Sequence, residues 1–125
     1  MATPAVSVIS RGWDGPFYRV RTSAFDVTFV LGHDEDLDRV ENVDAEVRLP
    51  DGSRWSATIF TVAEVKRLMM RWSRTGECAG GSYFWCPDGL LVNDAGIGNM
   101  TRVLAAIYDD GQLTDILNRL EEPVE

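Results

Sequence analysis

Between Val43 and Ile59 apolar and polar residues alternate on both sides of a tight turn, and no other feature limits the fold so much. Val43, Ala45, Val47 and Leu49 share one parity, and Asp44, Glu46 and Arg48 share the other. A period of two puts successive side chains on opposite faces of a strand. Pro50-Asp51-Gly52 supplies the turn, and Trp55, Ala57 and Ile59 resume the alternation. The two segments therefore pair antiparallel as a hairpin. One apolar face of such a hairpin has to be covered, by further strands or by helices.

The first third supplies strands. Val6 to Ile9 is a short apolar run, Trp13-Asp14-Gly15-Pro16 is dense in turn residues, and Phe17 to Arg21 follows. Phe25, Val27, Phe29 and Leu31 then alternate with smaller or polar neighbours, which again argues a half-buried strand. Thr61 opens a helix: it stands three residues before Glu64, the spacing of a capping box, and Phe60 and Val65 are placed as a hydrophobic staple. Val62, Val65, Leu68, Met69 and Trp72 fall on one helical face, with Lys66, Arg67, Arg71 and Arg74 off it. Arg71 and Arg74 suit the negative end of the helix dipole, and Gly76 is a natural stop.

Tyr83 to Cys86, Pro87-Asp88-Gly89 and Leu90-Leu91-Val92 read as a second hairpin, apolar on both faces of both arms. Such arms belong mid-sheet, or leave one face open for a partner. Tyr83 and Trp85 would share one face, Phe84 and Cys86 the other. Packed against the Trp72 helix and the C-terminal helices they are core; on an open face, Tyr83 and Trp85 are binding anchors. At the C-terminus, Met100, Val103, Leu104 and Ile107 form one helical stripe and Leu113, Ile116, Leu117 and Leu120 another, broken at Asp109-Asp110-Gly111. The expected fold is α+β, a single domain over residues 1–125: an antiparallel sheet of five to seven strands, with one central helix and a C-terminal helical pair packed on it.

Composition then narrows the function. The 125 residues carry 20 Asp and Glu against 12 Lys and Arg, a net charge of −8, which DNA and anionic membranes repel. Opposite potentials steer encounter, so a basic protein is the simplest partner. No run approaches the roughly 18 apolar residues of a membrane helix, and the N-terminus lacks the charged and apolar parts of a signal peptide. A bacterial cytoplasm is the expected location. There Cys78 and Cys86 are free thiols, and Cys86 is a small hydrophobe of an aromatic strand.

The acids concentrate. Asp34, Glu35, Asp36, Asp38, Glu41, Asp44 and Glu46 share their span with one base, Arg39, for a local charge of about −6. Asp34, Asp36 and Asp38 match the first three ligand positions of a calcium loop, but Arg39 replaces its glycine and Ala45 its bidentate glutamate. Two readings stand: a solvated loop whose charges discourage sheet aggregation, or a docking surface for a basic protein. Two cysteines and one histidine, His33, are too few for structural zinc. His33 is also the sole imidazole for nucleophilic catalysis, and no hydrolase motif surrounds a serine. Gly80-Gly81 and Gly96-Ile97-Gly98 fit no phosphate-binding loop. Hence no catalytic residue, cofactor or metal is expected.

Residues 54–92 resemble small acidic bacterial proteins of the immunity type, which protect against toxins. The shared pattern is a W-x-A-T strand, an F-T-x-x-E helix start, T-G-E, and G-G-x-Y-F-W before an apolar strand. Here it falls on Trp55, Ala57, Thr58, Phe60, Thr61, Glu64, Thr75, Gly76, Glu77, Gly81, Tyr83, Phe84 and Trp85. The resemblance implies a non-enzymatic protein, a monomer or homodimer, that binds and neutralises a basic toxin through the acid cluster or through Tyr83 and Trp85. The alternatives are a small enzyme or ligand-binding domain with a pocket between sheet and helices, and a dimeric structural protein.

Overall fold

The computed structural model describes residues 6–121; residues 1–5 and 122–125 lie outside the described residues. Its elements run β1 (Val8–Asp14), β2 (Phe17–Thr22), β3 (Asp26–Val30), β4 (Asn42–Arg48), β5 (Arg54–Thr61), α1 (Val62–Thr75), α2 (Glu77–Gly81), β6 (Gly89–Val92), α3 (Ile97–Asp109), α4 (Leu113–Ile116) and β7 (Asn118–Leu120). The seven strands form one sheet in the order β1-β2-β3-β4-β5-β6, and β7 also pairs with β5. The fold is α+β, as the pattern predicts.

The hairpin of β4 and β5 has the expected register: Val43 faces Ile59, Ala45 faces Ala57 and Val47 faces Trp55. All six are buried. Leu49 and Ser53 close the turn through Leu49 N–H to Ser53 O (2.9 Å), and Gly52 takes a φ of +87°. The Asp51 carboxylate accepts the Ser53 N–H and O–H at 2.9 and 2.6 Å. Those bonds hold its carboxyl below the usual range. The Ser53 hydroxyl in turn accepts the Trp55 indole N–H at 2.9 Å, so the buried ring keeps its polar atom satisfied.

Strands β2 and β3 extend the same apolar face with Tyr18, Val20, Val27 and Phe29. Ile97, Met100 and Leu104 of α3, with Leu113 and Leu117, join them in one buried cluster. Each helical residue recurs at three or four positions, the spacing that keeps one stripe on a sheet. The opposite face of the sheet carries Arg19, Arg21, Asp26, Asp44, Glu46, Arg48 and Ser56, exposed or half-buried. Several pair across strands, among them Arg21 with Asp26 at 3.7 Å.

Three expectations are corrected. Residues 83–86 form no strand, so there is no second hairpin; β6 instead lies parallel to β5, with Ile59 beside Leu90 and Thr61 beside Val92. The chain reaches that edge by way of α1 and α2, so it arrives running in the direction of β5. A parallel neighbour requires such a crossover. The second C-terminal helix is a single turn, after which Asn118–Leu120 pairs antiparallel with Arg54–Ser56. The capping box of α1 is half-formed. Glu64 N–H donates to Thr61 Oγ1 at 3.0 Å, but the Thr61 N–H goes to the Glu41 carbonyl at 2.9 Å.

Candidate functional site

The seven acids divide into three groups. Asp34, Glu35, Asp36 and Asp38 sit on the exposed β3–β4 loop. Its backbone is fixed at several points. Glu35 accepts the Gly32 N–H at 2.7 Å, and Asp36 accepts the Asp38 N–H at 2.9 Å. The carbonyls of Leu37 and Val40 accept Ile97 N–H (2.9 Å) and Gly96 N–H (2.8 Å) at the start of α3. That helix has no side-chain cap and no acid in its first turn, so the loop satisfies amides that are otherwise orphaned. Among the described residues the loop carboxylates meet one base, Arg39, at 3.7 Å from Asp36.

Glu41 belongs to a clasp. Its carboxylate takes a short charge-assisted bond from Arg67 and a 2.9 Å bond from the Thr61 hydroxyl. Arg67 also reaches Glu64 at 3.1 Å. The Arg67 hydrogen bond, then that of Thr61, holds the Glu41 carboxyl below its ordinary value, and Glu41 raises Arg67 in return. The linkage has a definite sign. A depressed folded-state pKa contributes stability above the unfolded value and loses it as pH falls through the folded one. Glu41→Gln is therefore expected to be less stable than the parent at pH 7, with the difference closing as pH drops below 4.5. Thermal melts at pH 7 and 3 check this, and a constant difference refutes it.

Asp44 and Glu46 lie on the face of the sheet opposite α3. Glu46 pairs with Arg54 at 3.3 Å. Asp44 lies 3.1 Å from the Thr58 hydroxyl, whose one proton goes to the nearer Asp88 at 2.8 Å. Asp88, read from sequence only as a turn residue, is the centre of this group. It accepts from Ser56 at 2.9 Å and from the Cys86 thiol at 3.6 Å, and its carbonyl accepts the Thr58 N–H at 2.9 Å. Burial pushes its carboxyl up, but the hydrogen bonds from Thr58, Ser56 and Cys86 outweigh burial and leave it below the usual range. The Pro-Asp-Gly turn signal was visible; that its aspartate would reach two hydroxyls on β5 was not.

The 82–88 segment corrects the aromatic expectation. Phe84 alone turns inward, edge-to-face on Phe60 (5.0 Å between centroids) and stacked on Trp72 (5.9 Å). Tyr83 and Trp85 face out, 54% and 71% exposed. Cys86 is half-buried outside any strand, and both cysteines are free thiols. Register brings the Pro87–Gly89 turn beside Asp44: Val30, Asp44, Thr58 and Gly89 are successive cross-strand neighbours. His33 stacks on Trp13 with 3.8 Å between centroids, and its Nε2 donates to the Gly15 carbonyl at 2.8 Å. That bond anchors the loop to the β1–β2 turn.

Among the described residues no three His, Cys, Asp or Glu side chains are grouped to hold a metal ion, and no helix is long and apolar enough to cross a membrane. The β3–β4 loop is anionic and its backbone is tied to α3. No family model, curated protein or solved structure matches the chain.

Proposed function

We propose that this chain performs no chemistry of its own and acts as an immunity protein, binding a basic toxin domain in the bacterial cytoplasm and blocking it. The observation that carries the reading is the β3–β4 loop. Four exposed carboxylates stand on a backbone tied to α3, with a single base near them. Anions fixed before encounter lose little freedom on binding and steer a cationic partner inward. They stand in for the phosphates that a nucleic-acid-degrading toxin would grip. Tyr83 and Trp85, both exposed, supply apolar anchors. Asp44 extends the anionic surface, whereas Glu41 and Glu46 hold the fold through Arg67 and Arg54. The likeness of residues 54–92 to immunity proteins, and the net charge of −8, point the same way.

The test uses the complex recovered from the native host. Asp34→Lys with Asp36→Lys and Asp38→Lys is expected to slow association by about 10- to 100-fold at low ionic strength and to flatten its salt dependence. Trp85→Ala is expected to act on dissociation instead. An unchanged association rate in the triple variant rules out the loop as the docking surface.

A further inference from the structure

Helix α1 has the opposite character to the loop. Within an acidic chain it carries Lys66, Arg67, Arg71 and Arg74 against one acid, Glu64. Arg67 is held by Glu41 and Glu64. Lys66, Arg71 and Arg74 are exposed and make no ion pair among the described residues. A groove of about 470 Å³ runs beside Lys66, with Val62, Met69 and Met70 along one wall and Gly80 and Gly81 along the other. Val62 and Met70 are 52% and 61% exposed. Lys66, Met70 and Arg74 fall four residues apart, so cations border the apolar strip in one line along the helix.

The glycine wall is held in an unusual conformation. Cys78, Ala79 and Gly80 form a left-handed turn with φ of 49°, 51° and 70°, which L-residues adopt at a cost. The turn brings bare backbone against α1, so the groove is floored by main chain on that side. Methionine, unbranched and polarisable, fits apolar groups of varied shape. An apolar strip edged by unpaired cations complements an apolar segment edged by carboxylates.

We infer that this groove docks an acidic amphipathic segment of a partner protein. Its apolar side chains rest on Val62, Met69 and Met70, and its carboxylates meet Lys66 and Arg74, Arg71 lying on the far side of the helix. Charge selects the occupant: the mode is a helix laid in a groove, and the unpaired cations reject a basic one. The surface is separate from the anionic loop and of opposite sign, so the two stand or fall independently.

The experiment follows methionine methyl resonances of the full chain during titration with two synthetic 16-residue peptides. Both have leucine at helical spacing; one has glutamate at the remaining positions and the other lysine. The expected result is movement of the Met69 and Met70 methyls with the glutamate peptide only, the buried Met100 staying still. Lys66→Gln with Arg74→Gln is expected to weaken that binding about tenfold; Met70→Glu, at an exposed position that leaves the fold intact, is expected to abolish it. Silent groove methyls, or equal shifts with the lysine peptide, overturn the inference. Backbone amide resonances recorded in the same titration report the loop: should the lysine peptide perturb only residues 34–38 while the groove ignores both, the docking inference fails and the anionic loop reading survives.

Discussion

Gly81→Ala is expected to cost about 3 kcal/mol or more of folding stability. A β-carbon there would stand 2.0 Å from the Met69 carbonyl oxygen and 3.2 Å from the Ser73 nitrogen, both in the α1 backbone. Neither atom can move without breaking the helix. The φ of +80° adds the ordinary left-handed penalty of roughly 1–2 kcal/mol. Gly52→Ala serves as the comparison: it shares a positive φ, +87°, but has open space around it, so only the conformational term applies. Ala79→Gly, at a φ of +51°, should move the other way by about 1 kcal/mol. Urea denaturation of the three variants separates contact from conformation. Equal losses at Gly81 and Gly52 would mean that α2 does not press on α1.

Leu104→Ala carries the second large effect, an expected loss of about 3–4 kcal/mol. Leu104 is fully buried in the cluster that joins α3 to the sheet. Truncation removes apolar contact on both sides and leaves a void that close-packed neighbours fill only in part. Leu91→Ala is the control on β6: its side chain is 53% exposed, and surface truncations usually stay within about 0.5 kcal/mol. Denaturation midpoints of the pair report whether α3 covers the sheet. A loss at Leu104 no greater than at Leu91 would contradict the layering described above.

What could be read in advance tracks the range of the interactions. The β4–β5 hairpin was legible because alternation, turn and partner all fall within residues 43–59. The ends of α1 were legible for the same reason, since Thr61 caps Glu64 and Gly76 takes the left-handed stop within a few residues of the helix. Residues 83–86 were not. A run apolar on both faces has no period to read, and where each ring packs depends on Phe60 and Trp72, which lie far away in sequence. Leu113, Ile116, Leu117 and Leu120 do follow helical spacing. Yet the free edge of β5 at Arg54–Ser56 offers backbone partners that draw Asn118–Leu120 into the sheet. A ladder of backbone bonds, backed by a covered face, overrides weak local propensity.

The candidate site divides the same way. Sequence alone established the excess of acid, its concentration between Asp34 and Glu46, the α+β class and the alternating core, because each depends on residue type and short spacing. Tertiary structure decided which carboxylates are paired within the chain and which are left in solvent. Arg67 clasps Glu41 from 26 positions away, Arg54 takes Glu46 across the hairpin, and α3 pins the loop that leaves Asp34, Glu35, Asp36 and Asp38 in solvent. Coulombic and hydrogen-bond energies act through space over a few ångströms, and only the folded chain brings such distances about.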